Sequence, residues 1–218
     1  MTATECVPKG QKLKAVIFDC DGVLFASEAA NLAYYNCVFA VFGLPEVAAD
    51  DHRRLTVLHT FSTPQVLEYF FGRGGLYEDA YRYAQTLDYR RFVPFMVPQA
   101  GLHEVLAELA GRFQLAIATN RTNTMELISD DFQLGSYFRH VVTATDVPRP
   151  KPYPDMLCHA LDLLQICPEE AIYVGDSSLD WEASKGAGIP FVGFSFQPPQ
   201  GGVMVSRLVE LVELLADR

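Results

Sequence analysis

Lysine is scarce in this chain: only Lys9, Lys12, Lys14, Lys151 and Lys185 occur in 218 residues, and with arginine the cations reach 17 against 27 acids. The formal charge is −10 and the sequence pI about 4.9, which excludes the broad positive surface that sequence-independent nucleic-acid binding requires. Any anionic ligand has to be held locally, and Lys151 stands alone between residues 14 and 185 as a lysine to hold it. Cysteine is sparse too. Cys6, Cys20, Cys37, Cys158 and Cys167 are odd in number and show neither a C-x-x-C pair nor a Cys/His metal spacing, so no disulfide framework is expected and the thiols read as those of a reducing compartment. No run approaches the ~18 apolar residues of a membrane helix. The opening MTATECVPKGQKLK lacks the apolar stretch of a signal peptide, so a soluble, cytoplasmic protein is expected, without membrane or nucleic-acid partners. What is present is ordinary globular composition, 50% hydrophobic and 20% charged, at a length that suits one large domain or a main domain with an insert.

Ala15 to Phe18 (AVIF) is a short apolar run of strand formers that ends in the acidic loop Asp19-Cys20-Asp21-Gly22, as a buried strand would. From Ser27 the rhythm becomes helical. NLAYYNCVFAVFG runs to Gly43, Thr63-Pro64 ahead of VLEYFFG supplies an N-cap and a first-turn proline, and a further helix is expected over Leu76 to Phe92. Roughly seventy residues thus read as an inserted helical unit. The aromatics Tyr34, Tyr35, Phe39, Phe42, Phe70, Phe71, Tyr81 and Tyr83 fall at helix-compatible spacing within it and are assigned to packing. After Pro98-Gln99-Ala100-Gly101 helices and strands alternate: LHEVLAELAGR, then FQLAIAT; TMELISDDFQL, then HVVTA; Pro154 to Ile166, then Ala171–Val174; Ser178 to Ala187, then FVGF; and a closing SRLVELVELLA helix. Such alternation predicts βαβ units and a parallel sheet covered on both faces.

Ligands of open parallel sheets bind beyond the carboxyl ends of the strands, and the residues placed there are unusually polar. Asp19 and Asp21 follow the first strand, Thr119 and Asn120 follow FQLAIA, Lys151 precedes a helix, and Asp176 and Asp180 follow AIYV. Two aspartates two apart in an extended loop allow one to be a nucleophile while the other serves as acid and then base. Up to four carboxylates around one small volume repel one another, by about 4 kcal/mol per pair at 4 Å and an effective dielectric of 20, so a divalent cation or shifted protonation is needed. Oxygen-only ligation suits Mg²⁺. Lys151, the Thr119 hydroxyl and the amides of the Asp19 loop are the donors available to a phosphoryl group.

VIFDCDGVL, the Thr-Asn after a strand, RPKPYPD, and VGDSSLDWEASKGAG, with Lys151 lying 25 residues before Asp176, resemble in order the four motifs of the haloacid dehalogenase superfamily, in its branch with a helical cap between the first two motifs. The resemblance implies an α/β, Rossmann-like parallel-sheet core (residues 1–25 and 98–218) with helices on both faces, and an inserted all-helical cap (26–97). It implies a phosphatase acting on a small phosphorylated metabolite through an aspartyl phosphate, as in phosphoglycolate and sugar-phosphate phosphatases. Asp19 would be the nucleophile and Asp21 the acid/base; Thr119, Asn120 and Lys151 would bind the phosphoryl group. Mg²⁺ would be held by Asp19, the Asp21 carbonyl and Asp176, with Asp180 in support, in a monomer or homodimer. Two positions depart from the pattern: Ala26, where many relatives have aspartate, and Arg121, where lysine or a small polar residue is frequent. Neither is expected to touch the core roles.

Other readings compete. A phosphoglucomutase-like transferase would tend to have Glu-Asp where this chain has Gly175-Asp176. A phosphoacceptor signalling domain would leave residues 26 to 97 unexplained, and a dehalogenase proper would need neither Asp21 nor metal. In the cap, His52, Arg53, Arg54 and His59 are candidate cations for an anionic substrate as a lid closes, or simply a solvated face.

Overall fold

The computed structural model describes residues 12–199 and 201–216; Cys6, Lys9 and most of the opening segment lie outside them. The strands are β1 (Ala15–Phe18), β2 (Phe25–Ala26), β3 (Val97–Pro98), β4 (Gln114–Thr119), β5 (Phe138–Thr143), β6 (Ala171–Gly175), β7 (Phe191–Phe194) and β8 (Val203–Val205). The α-helices are α1 (Glu28–Val41), α2 (His52–Thr60), α3 (Thr63–Phe71), α4 (Gly75–Thr86), α5 (Leu102–Ala110), α6 (Met125–Asp131), α7 (Asp155–Leu164), α8 (Ser178–Ala187) and α9 (Val209–Leu214).

Six strands form one sheet in the order β5-β4-β1-β6-β7-β8, every neighbouring pair parallel. Numbered along the chain within this sheet, the order is 3-2-1-4-5-6, that of the doubly wound Rossmann fold, in which the winding reverses beside the first strand. The period of two in each strand feeds two cores. Val16, Phe18, Leu115, Ile117, Ile172 and Val174 pack on one side with α5 and α9. Ala15, Ile17, Ala116, Ala118, Ala171 and Tyr173 pack on the other with α7 and α8. All four residues of β1 are fully buried, which is why AVIF is a continuous apolar run rather than an alternating one.

Helices α1 to α4 lie between β2 and β3, which pair antiparallel, Phe25 with Pro98 and Ala26 with Val97. The chain therefore leaves and re-enters the sheet layer through one short ladder beside the acidic loop. Tyr34, Tyr35 and Phe39 are buried, and Phe42, Phe70, Phe71, Tyr81 and Tyr83 pack on the same cluster, as the packing assignment required. Several details differ from expectation. The helix expected over Leu76 to Phe92 ends at Thr86, because the Asp88 side chain accepts from Arg90 N at 3.1 Å and starts a separate 3-10 turn, Tyr89–Arg91. Ser62 rather than Thr63 caps α3, with Pro64 second in the helix and the Gln65 carbonyl accepting from Ser62 N at 2.9 Å. Strand β8, too short for periodicity to reveal, takes the sheet's last position, and the closing helix is shorter than its apolar pattern. Among the described residues no helix is long and apolar enough to cross a membrane.

Candidate active site

The loop after β1 turns sharply. Gly22 has φ +79°, and a Cβ there would run into the Asp176 carboxylate, so the absence of a side chain lets the loops after β1 and β6 touch. Gly175, at the end of β6, is likewise pressed against the Asp180 side chain. These contacts gather Asp19, Asp176 and Asp180 so that one oxygen of each lies within 4.8 Å of the others.

Lys151 enters this nest fully sequestered. Its ammonium lies 2.9 Å from Asp19 Oδ1 and 2.7 Å from Asp180 Oδ1, and donates to the Tyr173 hydroxyl at 3.0 Å. Burial works against its charge, but Asp180 and Asp19 outweigh it and raise the lysine above its ordinary range. Asp19 Oδ1 also accepts from Cys20 N at 2.7 Å; among the described residues Oδ2 accepts no hydrogen bond. Burial, with the neighbouring carboxylates adding and Lys151 opposing, pushes Asp19 up to about 8. Asp176 is likewise raised by burial, with His59 opposing. The raised values of Asp19 and Asp176 mark a nest rich in negative charge.

Asp180 is different. Oδ1 accepts from Lys151 and, at 2.6 Å, from Tyr173, while Oδ2 accepts from Ser177 N at 3.1 Å and from its hydroxyl. Against burial, Lys151 and these donors hold it below the ordinary carboxylate range. Both its oxygens are occupied, so it orients the lysine, while Asp19 and Asp176 have the oxygens to offer a cation. That donor set, hard oxygens with excess negative charge, fits Mg²⁺.

Thr119 is buried at the end of β4, its hydroxyl accepting from Arg121 N at 3.2 Å. Asn120, expected to face the phosphoryl group, instead spends its amide on main chain. It accepts from Lys151 N at 3.0 Å, and donates to Lys151 O at 3.3 Å and to Thr60 O at the end of α2 at 2.9 Å.

The expectation that Arg121 touches none of the core roles is overturned. Its guanidinium forks onto Asp21, Nε to Oδ2 at 2.7 Å and Nη2 to Oδ1 at 2.6 Å, and against burial this holds Asp21 below the usual carboxylate range. Ser27 also donates to Asp21 Oδ1. Of the four candidate lid cations, His52, Arg53 and Arg54 are exposed. His59 turns inward, with Nε2 3.6 Å from Asp176 Oδ2; despite burial, Asp176 and Asp21 raise it to about 9. Between helical segment and sheet lies a small polar cleft of about 30 Å³ with Asp21, Asn31, Tyr35, His59, Thr63 and Arg121 in its wall. Sequence alone did not reveal Tyr173, Ser27 or the Arg121 contact. A tyrosine inside an otherwise aliphatic buried strand was the available signal for the first.

Comparison with known proteins agrees with this architecture. The profile of the haloacid dehalogenase-like hydrolases matches residues 16–194. Pyrophosphatase PpaX of Bacillus velezensis is 29% identical over 190 residues, 85% of each chain. A phosphoglycolate phosphatase of Pseudomonas putida is 25% identical over 209 residues, 90% of this chain and 74% of that one. Among solved structures, a HAD-superfamily hydrolase of subfamily IA from Geobacter sulfurreducens superposes with a TM-score of 0.74 at 39% identity, covering 96% of this chain and 99% of its own. A Rossmann-ordered sheet with aspartates gathered around a buried lysine at its strand ends is an α/β fold with an acidic site where such sheets bind ligands. The chain belongs to the haloacid dehalogenase-like hydrolase family.

Proposed function

We propose that the protein is a Mg²⁺-dependent phosphatase that hydrolyses a small organic phosphomonoester through an aspartyl phosphate on Asp19. The observation that carries this reading is the convergence of Lys151 on Asp19 and Asp180 beside Asp176. The relatives named for phosphoglycolate and pyrophosphate support small phosphorylated substrates.

In the first half of the reaction an Asp19 carboxylate oxygen bonds to phosphorus. The bond from phosphorus to the ester oxygen breaks, and that oxygen leaves as the alcohol with a proton from Asp21. In the second half water bonds to phosphorus, gives a proton to Asp21, and the bond to Asp19 breaks, so that ester plus water becomes alcohol plus phosphate. Lys151 and Thr119 hold the equatorial oxygens, and Asp180 with Tyr173 holds Lys151. Mg²⁺, held by Asp19 and Asp176, would supply charge stabilisation for the phosphoryl oxygens and let Asp19 be ionised. Phosphoryl transfer of the mutase type loses support at Gly175, where any side chain meets Asp180.

A panel of phosphomonoesters tests the reading. Phosphate release is expected with Mg²⁺, and is expected to vanish with EDTA or in Asp19→Asn; release at the wild-type rate in that variant, or without metal, contradicts it.

A further inference from the structure

Arg121 is a buried cation of the site to which the reaction above gives no task. Beyond its fork onto Asp21, Nη1 donates to Thr124 Oγ1 at 3.2 Å and Nη2 to Asn31 Oδ1 at 3.4 Å, and the guanidinium carbon stands 5.0 Å from the centre of the Tyr89 ring. Tyr89 in turn donates to Asn31 Oδ1 at 3.4 Å. Ser27 and, at 3.5 Å, Asn31 Nδ2 add to the donors on Asp21 Oδ1. Arg121, Ser27 and Asn31 all donate to the carboxyl, and both of its oxygens accept. That pattern suits the carboxylate, the state in which Asp21 receives a proton.

The fork is also built from distant pieces. Asp21 and Arg121 are 100 residues apart, Ser27 and Asn31 come from the start of α1, and Tyr89 from the far end of the helical segment. The fork itself joins two loops at the sheet's strand ends, and the helical segment adds Ser27, Asn31 and Tyr89 around it.

We propose that Arg121 is a positioning residue for the hydrolytic half of the reaction: its fork, roofed by Tyr89, fixes the Asp21 carboxylate to receive the proton of the water that cleaves the aspartyl phosphate. The inference rests on the phosphatase reading above. In that step the water oxygen bonds to phosphorus, one water proton passes to an Asp21 oxygen, and the electron pair of the broken bond returns to Asp19.

The test uses full-length protein with Mg²⁺ and p-nitrophenyl phosphate, comparing wild type with Arg121→Gln and Arg121→Lys, which keeps the charge and loses the fork. Initial rates give kcat and KM, and acid quenching during turnover gives the fraction of enzyme carrying covalent phosphate. In Arg121→Gln kcat is expected to fall roughly 10- to 100-fold. KM is expected to fall with it, leaving kcat/KM within about twofold, because only a step after the first irreversible one is slowed. The covalent fraction rises accordingly, and Arg121→Lys shows the same pattern to a lesser degree. A fall in kcat/KM equal to that in kcat, with no rise in covalent phosphate, makes Arg121 merely structural and overturns the inference, as does an unchanged kcat. Should Arg121→Gln not fold, the lysine variant decides by the same criteria. Wild-type protein inert toward every phosphomonoester removes the phosphatase reading and the inference together, a result distinct from active wild type with normal partition in the variants.

Discussion

Lys151 has three N–H donors and meets three acceptors, Asp19, Asp180 and Tyr173, so its position is fixed from three directions before substrate arrives. Asp21 is held by the opposite logic, one acid among several donors. Its folded value lies below the ordinary 3.8 despite burial, because of Arg121. The sign of the linkage follows: the stabilisation is full above the unfolded value and is lost as pH falls through the lower folded one. In metal-free protein, the stability gap between wild type and Asp21→Asn, measured by urea unfolding, is therefore expected to be widest above about pH 5 and to shrink below about pH 4. A gap that widens toward acid would show that Asp21 is not held as a carboxylate.

At the scale of elements, the loop between β1 and β2 is where sequence and site are most tightly joined. Gly22 has a positive φ and no room for a Cβ against Asp176. Gly22→Ala is expected to displace Asp176 and to weaken Mg²⁺ binding by roughly 10- to 100-fold, as changes beside metal ligands commonly do; calorimetry showing unchanged affinity would separate this contact from the metal site. Elements also explain what was legible in the sequence. The strands of the sheet centre announced themselves as apolar runs, and the polar residues ending them were readable because a parallel sheet puts its chemistry at one edge. The partners of those residues were not readable. Arg121 lies one residue beyond the expected Thr119-Asn120 pair, yet its contact with Asp21 spans 100 positions. The sequence pattern assigns Asn120 to phosphate, whereas the fold brings the main chain of Lys151 and Thr60 to its amide. The two-residue strands β2 and β3 and the three-residue β8 are defined by pairing with distant neighbours rather than by local pattern.

At the scale of the whole molecule, an acidic chain concentrates its few buried cations where acids are densest. Lys151, Arg121 and His59 each lie against an aspartate of the site, and the last does so across the boundary between helical segment and sheet. Asn120 crosses the same boundary to Thr60. Opening the segment would break the His59 and Asn120 contacts and take Ser27, Asn31 and Tyr89 from around Asp21, while the Arg121 fork joins two loops of the sheet itself. In the proposed reaction an Asp19 oxygen is the atom that bonds to phosphorus. The most direct test of that role is to quench turnover of a phosphate-labelled substrate in acid, digest the protein and map the covalent phosphate. Label is expected on the peptide containing Asp19 in wild type and none in Asp19→Asn; turnover with label on any other residue, or in the absence of any covalent phosphate under conditions where Arg121→Gln should accumulate it, would contradict that role.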